Sequence, residues 1–188
     1  TTLLRMIASI TQPTSGEIQF STEDSDEFGG RVGYVSHQSL LYNELSGLEN
    51  LLFYAQLYGL SDMGRRAAEM VDKMGLQDAQ NRLVRKYSRG MKQRLTIARA
   101  LLHEPQILLL DEPYTGLDQH GRGVLTEVLR KLKEEGKTIL LITHNLAEGL
   151  ELSNRVVIQH RGQIVFHSAE GGLDEHDFEK LYLQAVES

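Results

Sequence analysis

No cysteine occurs among the 188 residues, so neither a disulfide framework nor thiolate chemistry is open to this chain, and a reducing cytosol suits it. Long apolar runs are missing as well. The longest resemble Ile139-Leu140-Leu141-Ile142, far short of the ~20 apolar residues that span a bilayer, so any membrane role is expected to come through a partner. Positive charge is in deficit: 20 Lys and Arg against 26 Asp and Glu give a net charge of -6, which argues against a nucleic-acid backbone as the main partner. The opening Thr1-Thr2-Leu3-Leu4-Arg5 lacks the ordered charged and apolar regions of a signal peptide, and it lacks an initiator methionine. Internal repeats, heptads and low-complexity tracts are absent too. What remains is length enough for one domain with a real core.

The most informative stretch is Ile107-Leu108-Leu109-Leu110-Asp111-Glu112-Pro113. Four consecutive apolar residues predict a strand buried on both faces, as in a parallel sheet. At its carboxyl end, where open α/β sheets place ligands, two carboxylates stand side by side. A hard cation on a phosphate needs an oxygen ligand, and a water attacking a phosphoryl group needs a carboxylate to orient it. Asp111 and Glu112 fit those two tasks. A strand ending in a solvated acidic turn fits the dipeptide alone equally well.

The rest of the pattern alternates strand and helix. Leu3, Leu4, Ile7 and Ala8 predict an opening helix stopped by Pro13. A short strand is expected at 17–20, an exposed acidic loop at 21–30, and a strand at 31–36 that runs into His37-Gln38. Two helices between Gly47 and Gly75 carry the apolar faces Leu48, Leu51, Leu52, Ala55 and Ala67, Met70, Val71, Met74. They interrupt the alternation and are read as a small helical insert within about 43–103. A helix over 88–103, the strand at 106–110, a helix at 119–135 ended by Gly136, and a buried strand at 138–143 follow. The pieces 155–159 and 163–167 flank His160-Arg161-Gly162 as a hairpin, and a last helix is expected over about 174–186. The class is α/β with a mostly parallel sheet.

In chain order the candidate chemistry is Thr1-Thr2, Gln38, Tyr87-Ser88-Arg89-Gly90-Met91, Asp111-Glu112, Leu117-Asp118 and His144. In this order the motifs resemble the ATP-binding subunit of an ABC transporter over almost the whole chain, which implies a P-loop NTPase (RecA-like) core and ATP with Mg²⁺. On that resemblance Asp111 is the Walker B aspartate that holds Mg²⁺, Glu112 the carboxylate that polarises the attacking water, His144 the switch histidine at the γ-phosphate, and Gln38 the Q-loop glutamine at the metal or water. Ser88 and Gly90 open a helix as the signature loop does, facing the nucleotide of a partner subunit, although a plain serine N-cap reads the same way. Arg89 and Met91 stand where glycine and glutamine are usual in that loop. Asp118 resembles the D-loop aspartate of the dimer interface, or caps the helix that begins at Gln119. Thr1 and Thr2 resemble the tail of the Walker A motif, with Thr1 in the place of the Mg²⁺-ligating hydroxyl. The resemblance puts the glycine-rich loop, its lysine and the N-terminal strands before Thr1, so the chain alone is expected to bind ATP poorly and to be inactive.

The segment from His37 to Leu51 resembles the haem-exporter ATPases of cytochrome c maturation, although multidrug, polysaccharide and lipid exporter ATPases share much of it. The implied assembly is a head-to-tail dimer of ATPase subunits, peripheral on the cytoplasmic face of the membrane and bound to integral permease subunits. The competing expectations are a non-transport ABC protein acting on ribosomes or DNA, disfavoured by the acidic charge and the lack of repetition, and a regulatory module without turnover, disfavoured by Glu112 and His144.

Overall fold

The computed structural model describes residues 1–19, 32–168, 178 and 180–183. They fall into two compact units, Thr1–Ile142 and Thr143–Ser188. The first contains α1 (Thr2–Ile7), β1 (Val32–Val35), α2 (Gly47–Leu57), α3 (Met63–Lys73), α4 (Arg89–Leu101), β2 (Ile107–Asp111), α5 (Gln119–Glu134) and β3 (Thr138–Ile142). Its three strands form a parallel sheet in the order β1-β2-β3. Val32 stands opposite Ile107, and Asp111 stands opposite Ile142. The central strand behaves as its apolar run predicts, with Leu108, Leu109 and Leu110 all at or below 1% exposure.

β3 differs from expectation. Its run of apolar residues predicts burial, yet Leu140 is 36% exposed and no residue of the strand is buried. The physical reason is its neighbours, since among the described residues it pairs only with β2. The opening helix is also shorter than predicted: it ends at Ile7, Ser9 adopts a φ of 57°, and Leu4 is its buried residue. Residues 17–19 form no strand; Phe20, Arg31 and the expected acidic loop lie outside the described residues.

The two helices expected between Gly47 and Gly75 form. α2 starts with a reciprocal capping box: the Ser46 hydroxyl accepts from the Glu49 amide at 3.2 Å, and Glu49 Oε2 accepts from the Ser46 amide at 2.7 Å. Leu51 and Ala55 are buried, and so is Asn50, just before Leu51. Tyr87 reaches into the same region and donates to the Ala79 carbonyl at 2.8 Å. A Cβ on Gly47 would lie 2.1 Å from that hydroxyl, so only glycine fits there. α3 buries Ala67 and Val71. α4 buries Leu95, Ala98 and, just past its end, Leu102, with two polar residues, Thr96 and Arg99, also buried.

The second unit holds α6 (Leu146–Leu152), capped by Asn145, and the antiparallel pair β4 (Val157–His160) and β5 (Gln163–His167). Arg161 and Gly162 make the expected hairpin turn with φ of 48° and 82°. Phe178 and residues 180–183 are helical; the rest of the predicted last helix lies outside the described residues.

Candidate active site

Asp111 ends β2 and its side chain is 2% exposed. The Thr1 hydroxyl, at the start of α1, donates to Asp111 Oδ2 at 2.6 Å, and the Thr1 amino nitrogen lies 4.0 Å from Oδ1. His37 Nε2 comes within 3.7 Å of the same carboxylate from the loop after β1. Residues more than seventy apart in sequence thus converge because β1 and β2 are adjacent parallel strands that end together.

The chain turns sharply after Asp111. Glu112 has a φ of 52°, in the left-handed region that non-glycine residues seldom occupy. Its amide still donates to the Ile142 carbonyl at 2.9 Å, which extends the sheet by one bond while the side chain is redirected. Glu112 lines an open cleft of about 340 Å³ together with Asp111, Thr115, Ser36, His37 and Ser39. The opposite wall is the first turn of α4 with Arg89, Lys92 and Gln93. Two carboxylates and two cations therefore share one solvent-open space, suited to a polyanion that brings its own cation.

The turn from Glu112 to Asp118 is held against α4. Gln93 Nε2 donates to the Pro113 carbonyl at 2.9 Å. The Arg89 side chain lies across Gly116, where a Cβ would approach Arg89 Cδ to 2.7 Å and where φ is 82°. Both facts demand glycine at 116. Tyr34 on β1 has a buried hydroxyl with no hydrogen-bond partner among the described residues. Burial raises its pKa and the charge of Asp111 raises it further, against a lowering contribution from Arg5.

Asp111, Glu112 and Thr1 are thus brought together. Gln38 lies exposed in the loop after β1; its neighbours Ser36, His37 and Ser39 line the cleft, whereas its own side chain does not. Ser88 is an exposed N-cap whose Oγ accepts from the Met91 amide at 3.2 Å, and Gly90 packs by the Gly116 carbonyl. Asp118 caps α5 by accepting from the Gly121 amide at 2.8 Å. Thr2 is exposed in the first turn of α1. His144 belongs to the second unit, exposed in the turn before α6. His37, Lys92 and Gln93 are not among the site residues expected from the sequence, and Arg89 enters there only as a departure from the usual signature loop. The strand that precedes His37 and the helical spacing of 89, 92 and 93 were the available signals.

The family model described as ABC transporter matches residues 1–115. The chain belongs to the ABC transporter family. It is 36% identical over 184 residues to the ABC transporter ATP-binding protein NatA of Bacillus subtilis, covering 94% of this chain and 75% of that protein. It is 38% identical over 170 residues to the bacitracin transport ATP-binding protein BcrA of Bacillus licheniformis, with 88% and 55% covered. A sulfate/thiosulfate import ATP-binding protein, CysA of Mesorhizobium japonicum, is 36% identical over 174 residues, with 87% and 50% covered. The chain thus spans about half the length of the last two. Among solved structures, a dimeric post-hydrolysis state of the ATP-binding cassette MJ0796 bound to ADP and Pi superposes with a TM-score of 0.80 at 27% identity, covering 92% of this chain and 81% of that one. The P-loop NTPase class expected from the motifs is the one found, and the solved structures it resembles are ABC-type ATP-binding cassettes. The finer likeness to haem exporters is not supported: the names of these relatives concern bacitracin and sulfate or thiosulfate, and none concerns haem. Among the described residues no helix is long and apolar enough to cross a membrane.

Proposed function

We propose that this chain is the ATP-hydrolysing subunit of a transporter that exports a small molecule through a separate membrane permease. The observation that carries it is the pairing at the end of β2: a buried Asp111 held by the Thr1 hydroxyl at 2.6 Å, followed by Glu112 in the open cleft. The donor set suits Mg²⁺, which keeps several waters and takes only one or two protein oxygens alongside phosphates. Thr1 Oγ1 would ligate it directly and Asp111 would hold it through a bound water. When bound, Mg²⁺ neutralises charge on the β- and γ-phosphate oxygens. Glu112 orients the attacking water and accepts its proton from its place in the wall of the cleft. Gln38 senses the metal or water. Ser88, Gly90 and Asp118 form the face that meets a second copy head to tail; the cassette dimer holding ADP and Pi supports that assembly.

The helical insert and the loop leading into it supply a surface for the permease. Leu40, Tyr42, Phe53 and Leu57 are all exposed, and Tyr42 packs edge-on to Phe53 with ring centroids 4.8 Å apart. An apolar patch of this kind marks an interaction site. The subunit then sits on the cytoplasmic face of the membrane without crossing it, and nucleic acid is not a partner. Export is favoured over import by the likeness to a Nod factor export ATP-binding protein, 36% identical over 177 residues.

The test is Glu112→Gln in the intact subunit assembled with its permease. ATP binding should persist while turnover falls by ~10² or more, because the water loses its base. Turnover at the wild-type rate would remove Glu112 from the mechanism.

A further inference from the structure

Besides its apolar face, α4 carries a stripe of polar side chains at 92, 96 and 99, continued by His103 just past its end. The spacing of four, three and four puts all of them on one side of the helix. Each meets the segment Val32–Asn43, and they do so in reverse order. His103 Nε2 donates to the Val32 carbonyl at 3.2 Å, and Arg99 Nη2 to the Tyr34 carbonyl at 2.9 Å. Thr96 Oγ1 donates to the Lys92 carbonyl of its own helix at 2.9 Å and lies 3.5 Å from the Ser39 carbonyl, and Lys92 Nζ donates to Asn43 Oδ1 at 3.3 Å. Tyr54 of α2 completes the set: its hydroxyl donates to the Leu40 carbonyl, and the Arg99 guanidinium lies over its ring, 5.2 Å from the centroid.

Gln38 lies in the middle of the segment so pinned. None of these bonds touches it; they fix the chain on both sides of it. Thr96 and Arg99 are 0% and 6% exposed. A buried guanidinium adds little stability over an apolar residue of similar volume, so its value lies in specifying one arrangement. Leu40, two residues past Gln38, is held at a φ of 53°, a conformation that persists only when its surroundings dictate it.

We infer that this polar stripe, with Arg99 and Tyr54 at its centre, sets the position of the Gln38 loop relative to the Ser88 end of the same helix. Arg99 and Tyr54 are positioning residues: they act on turnover through Gln38 and touch no nucleotide. A helix is stiff, so a displacement felt at Ser88 reaches the Gln38 loop through the stripe. The inference rests on the proposed role of Gln38 at the metal or water.

The variant of choice is Tyr54→Phe, which removes one hydroxyl and leaves the ring beneath Arg99. In the intact subunit with its permease, kcat should fall about five-fold to ten-fold while KM for ATP stays within about two-fold, because only the geometry of the reacting groups has changed. In a Gln38→Ala background the same substitution should cost less than about two-fold further, since residues acting in series are not additive. Full additivity of Tyr54→Phe and Gln38→Ala overturns the positioning role alone, provided Glu112→Gln still abolishes turnover. If neither Glu112→Gln nor Gln38→Ala affects turnover, the proposed site fails and this inference fails with it.

Discussion

The helical insert and the carboxyl end of β2 both concentrate polar side chains, but they employ them differently. In the insert the polar groups are absorbed by the fold. Asn50, fully buried, accepts from the Tyr42 amide at 2.8 Å and donates to the carbonyls of Tyr42 and Ser46 at 3.0 and 2.9 Å. Ser46 and Glu49 satisfy each other's backbone, and the Tyr87 hydroxyl ends on a carbonyl. At β2 the polar groups face a cleft, the backbone of Glu112 is strained, and a buried carboxylate takes its close contacts from a hydroxyl and an imidazole of distant segments. Satisfied networks specify structure. Polar groups gathered at a strained turn and facing solvent are available to a ligand.

The largest stability effect that would sharpen this contrast is at Asn50. Asn50→Ala removes three hydrogen bonds and strands the Tyr42 amide, while the carbonyls of Tyr42 and Ser46 keep the amides of Leu45 and Asn50, so urea denaturation should show a loss of about 2–3 kcal/mol. The affinity for ATP should be unchanged at low denaturant, whereas Glu112→Gln should leave the denaturation midpoint in place. An Asn50→Ala protein of wild-type stability would erase the distinction.

A smaller effect concerns pH. Burial, and to a lesser degree the charge of Arg99, lowers the pKa of His103, while its bond to the Val32 carbonyl opposes the shift. A histidine whose folded pKa lies below its unfolded value contributes fully above the unfolded value, near 6.5, and loses that contribution as pH falls. Thermal unfolding should therefore decline more between pH 7.5 and 5.5 in the wild type than in His103→Gln. Parallel pH dependence in the two proteins would remove His103 from the account.

The sequence made the centre of the site legible because it is local: four apolar residues and two carboxylates state both the strand and what stands at its end. Ser88 and Asp118 were recognisable as caps for the same reason. What it concealed depends on long-range neighbours. Ile139 to Ile142 read as buried as Ile107 to Leu110 do, but β3 has one described partner and β2 has two. Arg99 and Thr96 look like solvated helix residues until β1 and the loop after it are placed against them. His37 became a neighbour of Asp111 only through the pairing of strands.

The most direct measurement is a structure of the intact Glu112→Gln subunit trapped with Mg-ATP. The account predicts the metal at ~2.1 Å from Thr1 Oγ1, the usual Mg²⁺–oxygen distance, with Asp111 behind a bound water and residue 112 facing the γ-phosphate. A terminal phosphate and metal seated away from Asp111 and residue 112 would contradict it.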